Sequence, residues 1–578
     1  MANIQIPDNA PFSPEQRQWL GEFLSQAFVG GAAGGAAPAA PVPVTILVGS
    51  QTGNTEGLAK KLSKKMAKGN FEPNVVDMAS YDASKLPSEQ NVLVMTSTYG
   101  DGEAPDNAND LHTWIRQDGA PSLAGVKFSV FGMGDSEYPD FNQCAKEFQE
   151  AFTKLGAEQL LDPVYCDVEY DGDYKNWEKG IMDLLGASAV AEVASDDDDE
   201  DEEDGHTKKN PFYAEILNNY NLNDLESARE THHIEINLEG SGLEYEAGDA
   251  LGVYPQNEEA LVDEIIANLP FNTNVEVPAA IGKGEVSFRD ALLYHYDITN
   301  LNKALVEKWS KRSGSPQLRS IVESGDKAAM DDFTWGRGLV DLVIDHPADY
   351  GDAEDLLEDL KKIQPRLYSI SSSPKAHPGE VHLTVGIVRY DSYGRKRGGV
   401  CSTYFADRSA GKKTGVFMHS NTAFRPPVND DVPMIMCGPG TGIAPFRAFI
   451  EEREARGAKG KNWMFFGNPH EKLDYLYKDT FEKWQADGLV DKLSLAWSRD
   501  GAEKVYVQNL MVKEGKQFYE WLEEGGHFYV CGDASRMAKD VDKALHQLIE
   551  EHGNMSAEEA EAYVKQLKKD KRYGRDVY

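Results

Sequence analysis

Cysteine and long apolar runs are both scarce in this sequence of 578 residues. Its five cysteines include no CxxC pair, so we expect neither a disulfide framework nor a zinc site, and no metal ligands. No apolar run approaches the ~18 residues that cross a bilayer. The opening MANIQIPDNA lacks the basic and apolar regions of a secretory signal. We therefore expect a cytoplasmic protein without a membrane anchor.

Positive charge is also in deficit. The chain has 59 lysines and arginines against 96 aspartates and glutamates, a net charge of −37. Nucleic-acid binding requires a basic surface and is therefore disfavoured, whereas an acidic surface maintains solubility or steers basic partners. Nine consecutive carboxylates follow Ser195 and predict an extended linker, with a docking tail for a basic partner as the alternative.

Changes in pattern divide the chain into six segments. Continuous apolar runs that alternate with helices predict α/β domains with parallel sheets, the first of them doubly wound. Alternating runs bounded by Gly or Pro predict an antiparallel barrel with a helical insertion. The predicted bounds are 1–29 (helical segment), 30–43 (Gly/Ala/Pro linker), 44–190 (first α/β domain), 191–210 (acidic linker), 211–427 (barrel, insertion at about 257–362) and 428–578 (second, Rossmann-like α/β domain).

Three loops of the first α/β domain follow predicted strands: SQTGNT, STYGDGEAPDN and GMGDSEYPDFN. Ligands bind beyond the carboxyl ends of parallel strands, and hydroxyls with helix N-terminal N–H groups hold a phosphate without a Walker lysine. Tyr99 and Tyr138 could sandwich a flat heterocycle. The pattern resembles flavodoxin, which implies that FMN is bound. The implied residues are Ser50, Gln51, Thr52, Gly53, Asn54, Thr55, Ser97, Thr98, Tyr99, Gly100, Gly134, Asp135, Tyr138, Phe141 and Asn142.

The segment RLYSISSSP places a guanidinium, a phenol and a hydroxyl on one predicted strand. Alternate residues of a strand share a face, so Arg366 could bind a pyrophosphate while Tyr368 lies along a ring and Ser369 reaches its edge. Further along, GGVCSTYFAD predicts a turn into a helix that offers an anion seat. Together these segments resemble the FAD site of the ferredoxin–NADP reductase family.

The segment CGPGTGIAPFR is a glycine-rich strand-to-helix turn, which is weak evidence by itself. Later residues strengthen it, because the cations Arg499 and Lys504 suit a 2′-phosphate, whereas an NAD site favours an acidic residue. We therefore expect NADPH. Cys531 follows an apolar strand beside a glycine and is expected to contact the nicotinamide. The terminal Tyr578 could stack on a flavin face.

The order of these motifs resembles the diflavin reductases over almost the whole chain. Within that family the chain is most similar to the flavoprotein components of bacterial NADPH–sulfite reductases, in segments such as GPGTGIAPFRAF, KVYVQ and YVCGDASRMAKDV. The resemblance implies electron transfer from NADPH through FAD and FMN to the sulfite reductase hemoprotein (beta) subunit, for reduction of sulfite to sulfide. It also implies a homo-oligomer in that complex.

The same resemblance assigns residues to three further groups. Those implied to assist hydride transfer are Ser369, Cys531, Asp576 and Tyr578. Those implied to contact FAD are Thr299, Arg366, Leu367, Tyr368, Ser369, Thr384, Val385, Gly386, Tyr390, Gly399, Val400, Cys401, Ser402 and Tyr578. Those implied to contact NADP are Gly438, Gly440, Thr441, Ser498, Arg499, Lys504, Val505, Tyr506, Val507, Gln508 and Asp540.

Two other functions remain open from the sequence. One is a general NADPH–cytochrome or haemoprotein reductase, with the same chemistry and another acceptor. The other is a non-catalytic assembly scaffold with degenerate flavin sites, which would purify as a colourless protein.

Overall fold

The structure is a computed structural model that describes residues 41–51, 53–99, 102–136, 140–168, 170–186, 206–281 and 284–578. The predicted N-terminal helix, residues 30–40 of the first linker and most of the acidic linker lie outside these ranges. The chain divides into two compact units, Met1–Ser195 and Asp196–Tyr578. Within the described ranges, no helix combines the length and the apolar character needed to cross a membrane.

The first unit is a doubly wound parallel sheet, as predicted. Its strands run in the order β2-β1-β3-β4-β5, and β6 also pairs with β4. Continuous apolar runs produce this sheet because helices cover both of its faces, as in the fully buried second half of β1. The strands are β1 (Val42–Gly49), β2 (Phe71–Asp77), β3 (Asn91–Ser97), β4 (Lys127–Met133), β5 (Glu158–Gln159) and β6 (Val164–Cys166). The helices are α1 (Asn54–Ala67), α2 (Asn109–Arg116), α3 (Gln143–Lys154) and α4 (Asp171–Gly186).

The second unit begins with an antiparallel sheet in the order β12-β9-β16-β7-β8-β13. A single antiparallel bridge between Ile370 and Leu383 links its two end strands. The run EVHLTVGIVRYD, which reads as one strand, is split into β13 and β14, and β14 pairs with β15 in a separate hairpin. The strands are β7 (Phe212–Asn221), β8 (Thr231–Asn237), β9 (Ala250–Val253), β12 (Arg366–Ser369), β13 (Glu380–Gly386), β14 (Arg389–Ser392), β15 (Arg395–Gly398) and β16 (Lys413–His419).

A helical insertion separates β9 from β12 in the chain. Most of its helices start at side-chain caps; Asn302 and Ser315, for example, each accept a hydrogen bond from a first-turn N–H group. Trp309 and other buried side chains form its own apolar core. The insertion contains α5 (Glu259–Ala267), β10 (Glu276–Pro278), β11 (Glu285–Ser287), α6 (Phe288–Tyr294), α7 (Lys303–Ser313), α8 (Pro316–Ser324), α9 (Lys327–Thr334), α10 (Leu339–Asp345) and α11 (Ala353–Leu357).

The last part of the chain is a five-stranded parallel sheet in the order β19-β18-β17-β20-β21. The terminal RYGRDVY, not anticipated as a strand, forms the edge strand β21 beside β20. The strands are β17 (Met434–Cys437), β18 (Asn462–Asn468), β19 (Lys492–Trp497), β20 (His527–Gly532) and β21 (Tyr573–Val577). The helices, after α12 (Val400–Thr403), are α13 (Ala444–Arg456), α14 (Glu471–Asp474), α15 (Lys478–Ala486), α16 (Val507–Lys513), α17 (Gly515–Glu523), α18 (Met537–Gly553) and α19 (Ala557–Lys569).

Candidate functional site

The three predicted FMN loops leave the same edge of the first sheet. Strands β1, β3 and β4 are neighbours, and their register pairs Gly49 with Thr96 and Ser97 with Met133. The loops therefore converge beyond the carboxyl ends of the strands, where ligands of such sheets bind. Of the predicted FMN residues, Thr52, Gly100 and Tyr138 lie outside the described residues.

The first of these loops is built for the close approach of an anion. Gly53 has a φ of +89°, and it directly precedes α1 without a side-chain cap. A Cβ at Gly53 would meet nothing within 4 Å, so the left-handed backbone and not crowding favours glycine. Its N–H donates to Ser50 Oγ at 2.9 Å, and Ser50 N–H donates to Asn107 Oδ1 at 2.9 Å. Gln51 and Asp106 pair through two hydrogen bonds, which hold the first two loops together.

Several predicted FMN side chains support the loops from within the protein. The Thr55 hydroxyl is fully buried and contacts Met133 Sδ at 3.6 Å. Thr98 Oγ1 accepts from Cys144 N–H at 3.3 Å, which joins the second loop to α3. Asn142 donates from Nδ2 to Cys166 O at 2.9 Å, and its φ of 55° bends the third loop into α3. These side chains position the loops, while Asn54 begins α1.

The remaining predicted residues of the second and third loops follow β3 and β4. Tyr99 and Glu103 form an antiparallel bridge that closes the second loop. Gly134 N–H donates to Cys166 O at 3.1 Å, and a Cβ at Gly134 would lie 3.1 Å from Asn142 N. Asp135 and Phe141 belong to the described part of the third loop, of which residues 137–139 lie outside the described ranges.

Four of the predicted FAD residues form β12. Leu367 is 47% exposed, whereas Arg366, Tyr368 and Ser369 are half-buried. Burial raises the pKa of Tyr368, with the adjacent Cys401 thiol as a smaller cause. The tyrosine therefore remains a neutral phenol that presents an aromatic ring and a hydroxyl.

The glycine turn before α12 is compact. A Cβ at Gly399 would lie 2.8 Å from Ser402 Oγ. That hydroxyl donates to Gly399 O at 3.1 Å and accepts from Val388 N–H at 3.2 Å, so it stabilises the turn. Cys401 is buried and Val400 is half-buried. No side chain caps α12, so its first N–H groups can receive an anion.

The other predicted FAD residues lie on three elements. Thr384 is buried and its hydroxyl contacts Tyr477 Oη at 2.6 Å, while Val385 faces the core. Gly386 approaches the glycine-rich turn, since its Cβ would lie 3.3 Å from Thr441 Cγ2. Tyr390 is 41% exposed on the β14 hairpin. Thr299 lies in the insertion and donates to Asp297 Oδ1 at 2.9 Å.

Ser369, Cys531 and Asp576 meet although they come from distant segments. Ser369 Oγ donates to Asp576 Oδ2 at 2.7 Å. Cys531 Sγ, which β20 places opposite Asp576 on β21, donates to the same oxygen at 3.9 Å. Burial raises the pKa of both the Cys531 thiol and the Asp576 carboxyl. The arrangement therefore holds a neutral hydroxyl and a neutral thiol on one carboxyl oxygen.

The terminal Tyr578 reaches the glycine-rich turn. Its hydroxyl contacts Thr441 Oγ1 at 2.8 Å, and its ring is 63% exposed. Gly440 has a φ of 60° in this turn. A Cβ at Gly442 would lie 2.1 Å from Cys531 O, so only glycine permits this approach to β20. Gly438 is similarly constrained by Gly442.

The predicted 2′-phosphate residues cluster after β19. Arg499 and Lys504 are exposed, and Ser498 N–H donates to Asn468 O at 3.1 Å. The adjacent Asp500 accepts hydrogen bonds from His470 Nδ1 and Glu471 N–H, both at 2.7 Å, so its charge is engaged elsewhere.

The following segment begins α16. Tyr506 is 45% exposed before this helix, and Val505 is half-buried. Gln508 Nε2 donates to Asp540 Oδ2 at 3.4 Å. Val507 is buried, so its side chain belongs to the core. Tyr506 and Gln508 therefore offer polar groups beside Lys504.

Sequence analysis missed Arg229, a cation next to the glycine-rich turn. Its Nη1 lies 3.9 Å from the position of a Cβ at Gly440 and donates to Asn468 Oδ1 at 2.9 Å. The residue precedes β8 and lies 211 positions from Gly440 in the sequence. No local motif surrounds it, so only the folded chain reveals this placement.

The donor sets fit the three expected groups. Asn142 Oδ1 is buried and has no hydrogen-bond partner among the described residues. The uncapped starts of α1 and α12, with glycine before each, suit phosphate groups. Exposed cations beside β19, with Asp500 engaged elsewhere, suit a 2′-phosphate.

Comparison with known proteins agrees with this organisation. Residues 46–205 match the flavodoxin family, residues 205–404 match the FAD binding domain family, and residues 436–543 match the oxidoreductase NAD-binding domain family. Three relatives share the name sulfite reductase (NADPH) flavoprotein alpha-component. The protein from Bacillus subtilis is 42% identical over 88% of this chain and 85% of its own length. The protein from Cronobacter sakazakii is 41% identical over 87% of this chain and 85% of its own length. The protein from Shewanella oneidensis is 40% identical over 88% of this chain and 85% of its own length.

Proposed function

The chain belongs to the family of sulfite reductase (NADPH) flavoprotein alpha-components, and on that basis we propose that it supplies electrons to a sulfite reductase hemoprotein. NADPH is the electron source, FAD and FMN are the carriers, and sulfite is reduced to sulfide on the partner. The observation that carries this proposal is the convergence of Ser369, Cys531 and Asp576 beside the glycine-rich turn.

When bound, the two flavins convert the two-electron hydride chemistry of NADPH into single-electron transfers. The protein supplies the geometry for the first transfer. Ser369 and Cys531 donate hydrogen bonds to Asp576 Oδ2 at the end of β20. The nicotinamide and the flavin edge are expected to meet at this point. A fixed hydroxyl and thiol at this point orient the reacting edges and can stabilise charge that develops between them.

Tyr578 covers the flavin side of this site in the proposed function. Its exposed ring is anchored through Thr441 Oγ1, a residue of the nicotinamide-nucleotide turn. Entry of the nicotinamide therefore requires this contact to open. Coupling of the ring to the turn gives the site a means of responding to the bound nucleotide.

Selection of NADPH rests on two sets of cations. Arg229 lies at the glycine-rich turn and suits the pyrophosphate, which NADH and NADPH share. Arg499 and Lys504 suit the 2′-phosphate, which only NADPH carries. The carboxylate of the neighbouring Asp500 accepts hydrogen bonds from His470 Nδ1 and Glu471 N–H.

The flavodoxin-like unit is proposed to deliver electrons to the hemoprotein, within a complex that contains several copies of this chain. Mixing the purified holoprotein with a bacterial sulfite reductase hemoprotein subunit tests the proposal. NADPH-dependent sulfide formation is expected, together with equal amounts of extractable FMN and FAD. NADPH–cytochrome c reduction without sulfide formation would instead identify a general haemoprotein reductase, and a colourless protein would identify a scaffold.

A further inference from the structure

A cluster of histidines and carboxylates lies where the antiparallel sheet packs on α13. We propose that His377, Glu380 and His382 form a binding site for a divalent transition-metal ion of the zinc type. One nitrogen or oxygen of each residue lies within 4.8 Å of those of the other two. The site uses none of the residues assigned above to flavin or nucleotide.

Local backbone geometry brings the three side chains together. Glu380 and His382 are alternate residues at the start of β13, so they share one face of the strand. Their side chains are in contact, with His382 Nε2 3.1 Å from Glu380 Oε2. The turn before β13 returns His377 to this face, where Glu380 N–H donates to His377 O at 3.3 Å. The rings of His377 and His382 have centroids 4.2 Å apart.

The ligand chemistry favours zinc-type ions over magnesium or calcium. Imidazole with carboxylate is a donor set typical of Zn²⁺, whereas Mg²⁺ and Ca²⁺ prefer oxygen ligands alone. In a tetrahedral zinc site with bonds of about 2.0–2.2 Å, ligand atoms lie roughly 3.4 Å apart. The candidate ligand atoms here lie within 4.8 Å of one another, and water can complete the coordination.

The surrounding charges also suit a divalent cation. Glu380 and Glu451 contact the two histidines, and Arg447 pairs with Glu451 and lies 3.4 Å from His382 Nδ1, so these three groups carry a net charge of −1.

The supporting contacts give the site a defined position and an entry path. His377 Nε2 lies 3.2 Å from Glu451 Oε1 on α13, and Glu451 Oε2 accepts from Ser373 N–H at 3.0 Å. Such partners around the ligands orient them for the metal. Glu380 is 38% exposed in its side chain and His377 is 28% exposed, so an ion can arrive from solvent. A bound ion would tie the turn before β13 to its own strand, next to α13.

Equilibrium dialysis of the tag-free holoprotein against Zn²⁺, with metal content read by mass spectrometry, tests the site. We expect one tightly held zinc per chain and no comparable uptake of Mg²⁺. His382→Ala is expected to lose the ion, and Glu380→Gln to bind it about 10- to 100-fold more weakly. Zinc should also raise the unfolding temperature of the wild type, raise that of Glu380→Gln by less, and leave that of His382→Ala unchanged.

Two matched variants serve as controls. Glu235→Gln makes the same substitution on the neighbouring strand β8, where Glu235 pairs with His233. His546→Ala removes a histidine that pairs with a carboxylate on α18. Both are expected to retain zinc. Should His382→Ala fail to fold, Glu380→Gln decides, because its carboxylate is partly exposed.

Absence of tight zinc in the wild type overturns the proposal. Equal binding by all variants overturns it as well. Loss of zinc in Glu235→Gln with retention in Glu380→Gln also overturns the assigned ligand set.

Discussion

Ser369 Oγ donates a 2.7 Å hydrogen bond to Asp576 Oδ2, although the two residues are 207 positions apart in the chain. The first belongs to β12 of the antiparallel sheet and the second to β21, the terminal strand of the parallel sheet. This bond joins the predicted flavin side of the site to the predicted nicotinamide side.

Ser369→Ala is expected to slow reduction of the protein-bound flavin by NADPH by about 100-fold, because a positioned hydroxyl is lost from the reacting edge. Stopped-flow absorbance measures this step directly. Ser324→Ala, which removes an exposed hydroxyl in the insertion, is the control and should react at the wild-type rate. Wild-type flavin reduction in Ser369→Ala would exclude the serine from the site.

Tyr578→Ala is expected to lower the preference for NADPH over NADH. An uncovered flavin face no longer requires the nicotinamide to displace a ring, so the tighter-binding nucleotide loses its advantage. The measurement is kcat/KM for both nucleotides. Tyr578→Phe keeps the ring but loses the hydrogen bond with Thr441. Such a bond is worth about 1 kcal/mol, so its loss should change the ratio of the two kcat/KM values about fivefold. An unchanged preference in Tyr578→Ala would contradict the covering role.

Arg499→Ala and Arg229→Ala are expected to differ in nucleotide selectivity. Loss of a charged hydrogen bond of about 1.5–3 kcal/mol should reduce kcat/KM for NADPH by about 10- to 100-fold in Arg499→Ala and leave NADH unaffected. Arg229→Ala should reduce both, since both nucleotides carry the pyrophosphate. Lys516→Ala, at an exposed position on α17, is the control. If Arg499→Ala affected both nucleotides equally, the 2′-phosphate assignment would be wrong.

Asp576→Asn is expected to be more stable than the wild type at pH 7. Burial raises the pKa of this carboxyl above its ordinary value of 3.8, so the native state holds a proton more tightly than the unfolded chain. The wild-type free energy of unfolding should therefore fall as pH rises from 3.8 through the native pKa. The difference in free energy of unfolding between the variant and the wild type should shrink as pH is lowered from the native pKa to 3.8.

Denaturant unfolding over a pH series, followed by tryptophan fluorescence, measures this difference. Asp391→Asn, at an exposed position on the β14 hairpin, supplies the comparison. A stability difference between Asp576→Asn and wild type that did not vary with pH would rule out a raised pKa at Asp576.

The central strands of both parallel sheets were predictable because they are short apolar runs buried on two faces, whereas β2 and β5 of the first sheet contain no such run and are half-buried or exposed. The exceptions have local explanations. The strand β21 contains only two apolar residues among its five, and its partner β20 ends 41 positions earlier. The β13–β14 segment reads as one strand, but Ile387 N–H donates to Glu230 O and the chain turns into a separate hairpin.

Candidate site residues were predictable where they form short motifs, as in the loop after β1 and the turn before α13. Asp576 was predicted to be a site residue only from the family resemblance, because RYGRDVY contains no motif that indicates a contact with Ser369. Arg229 was missed for the same reason. The proposed zinc ligands do form a local motif, His377-x-x-Glu380-x-His382, although the absence of CxxC pairs predicted no metal ligands.

Apolar periodicity, glycine placement and the runs of like charge settled the class of each domain, since they act over a few residues along the chain. Packing between segments settled the rest: which hydroxyl meets which carboxyl, which arginine reaches the nucleotide turn, and which imidazoles lie side by side. Contacts of that kind depend on the mutual positions of whole sheets and helices, and spacing along a polypeptide carries no measure of those positions.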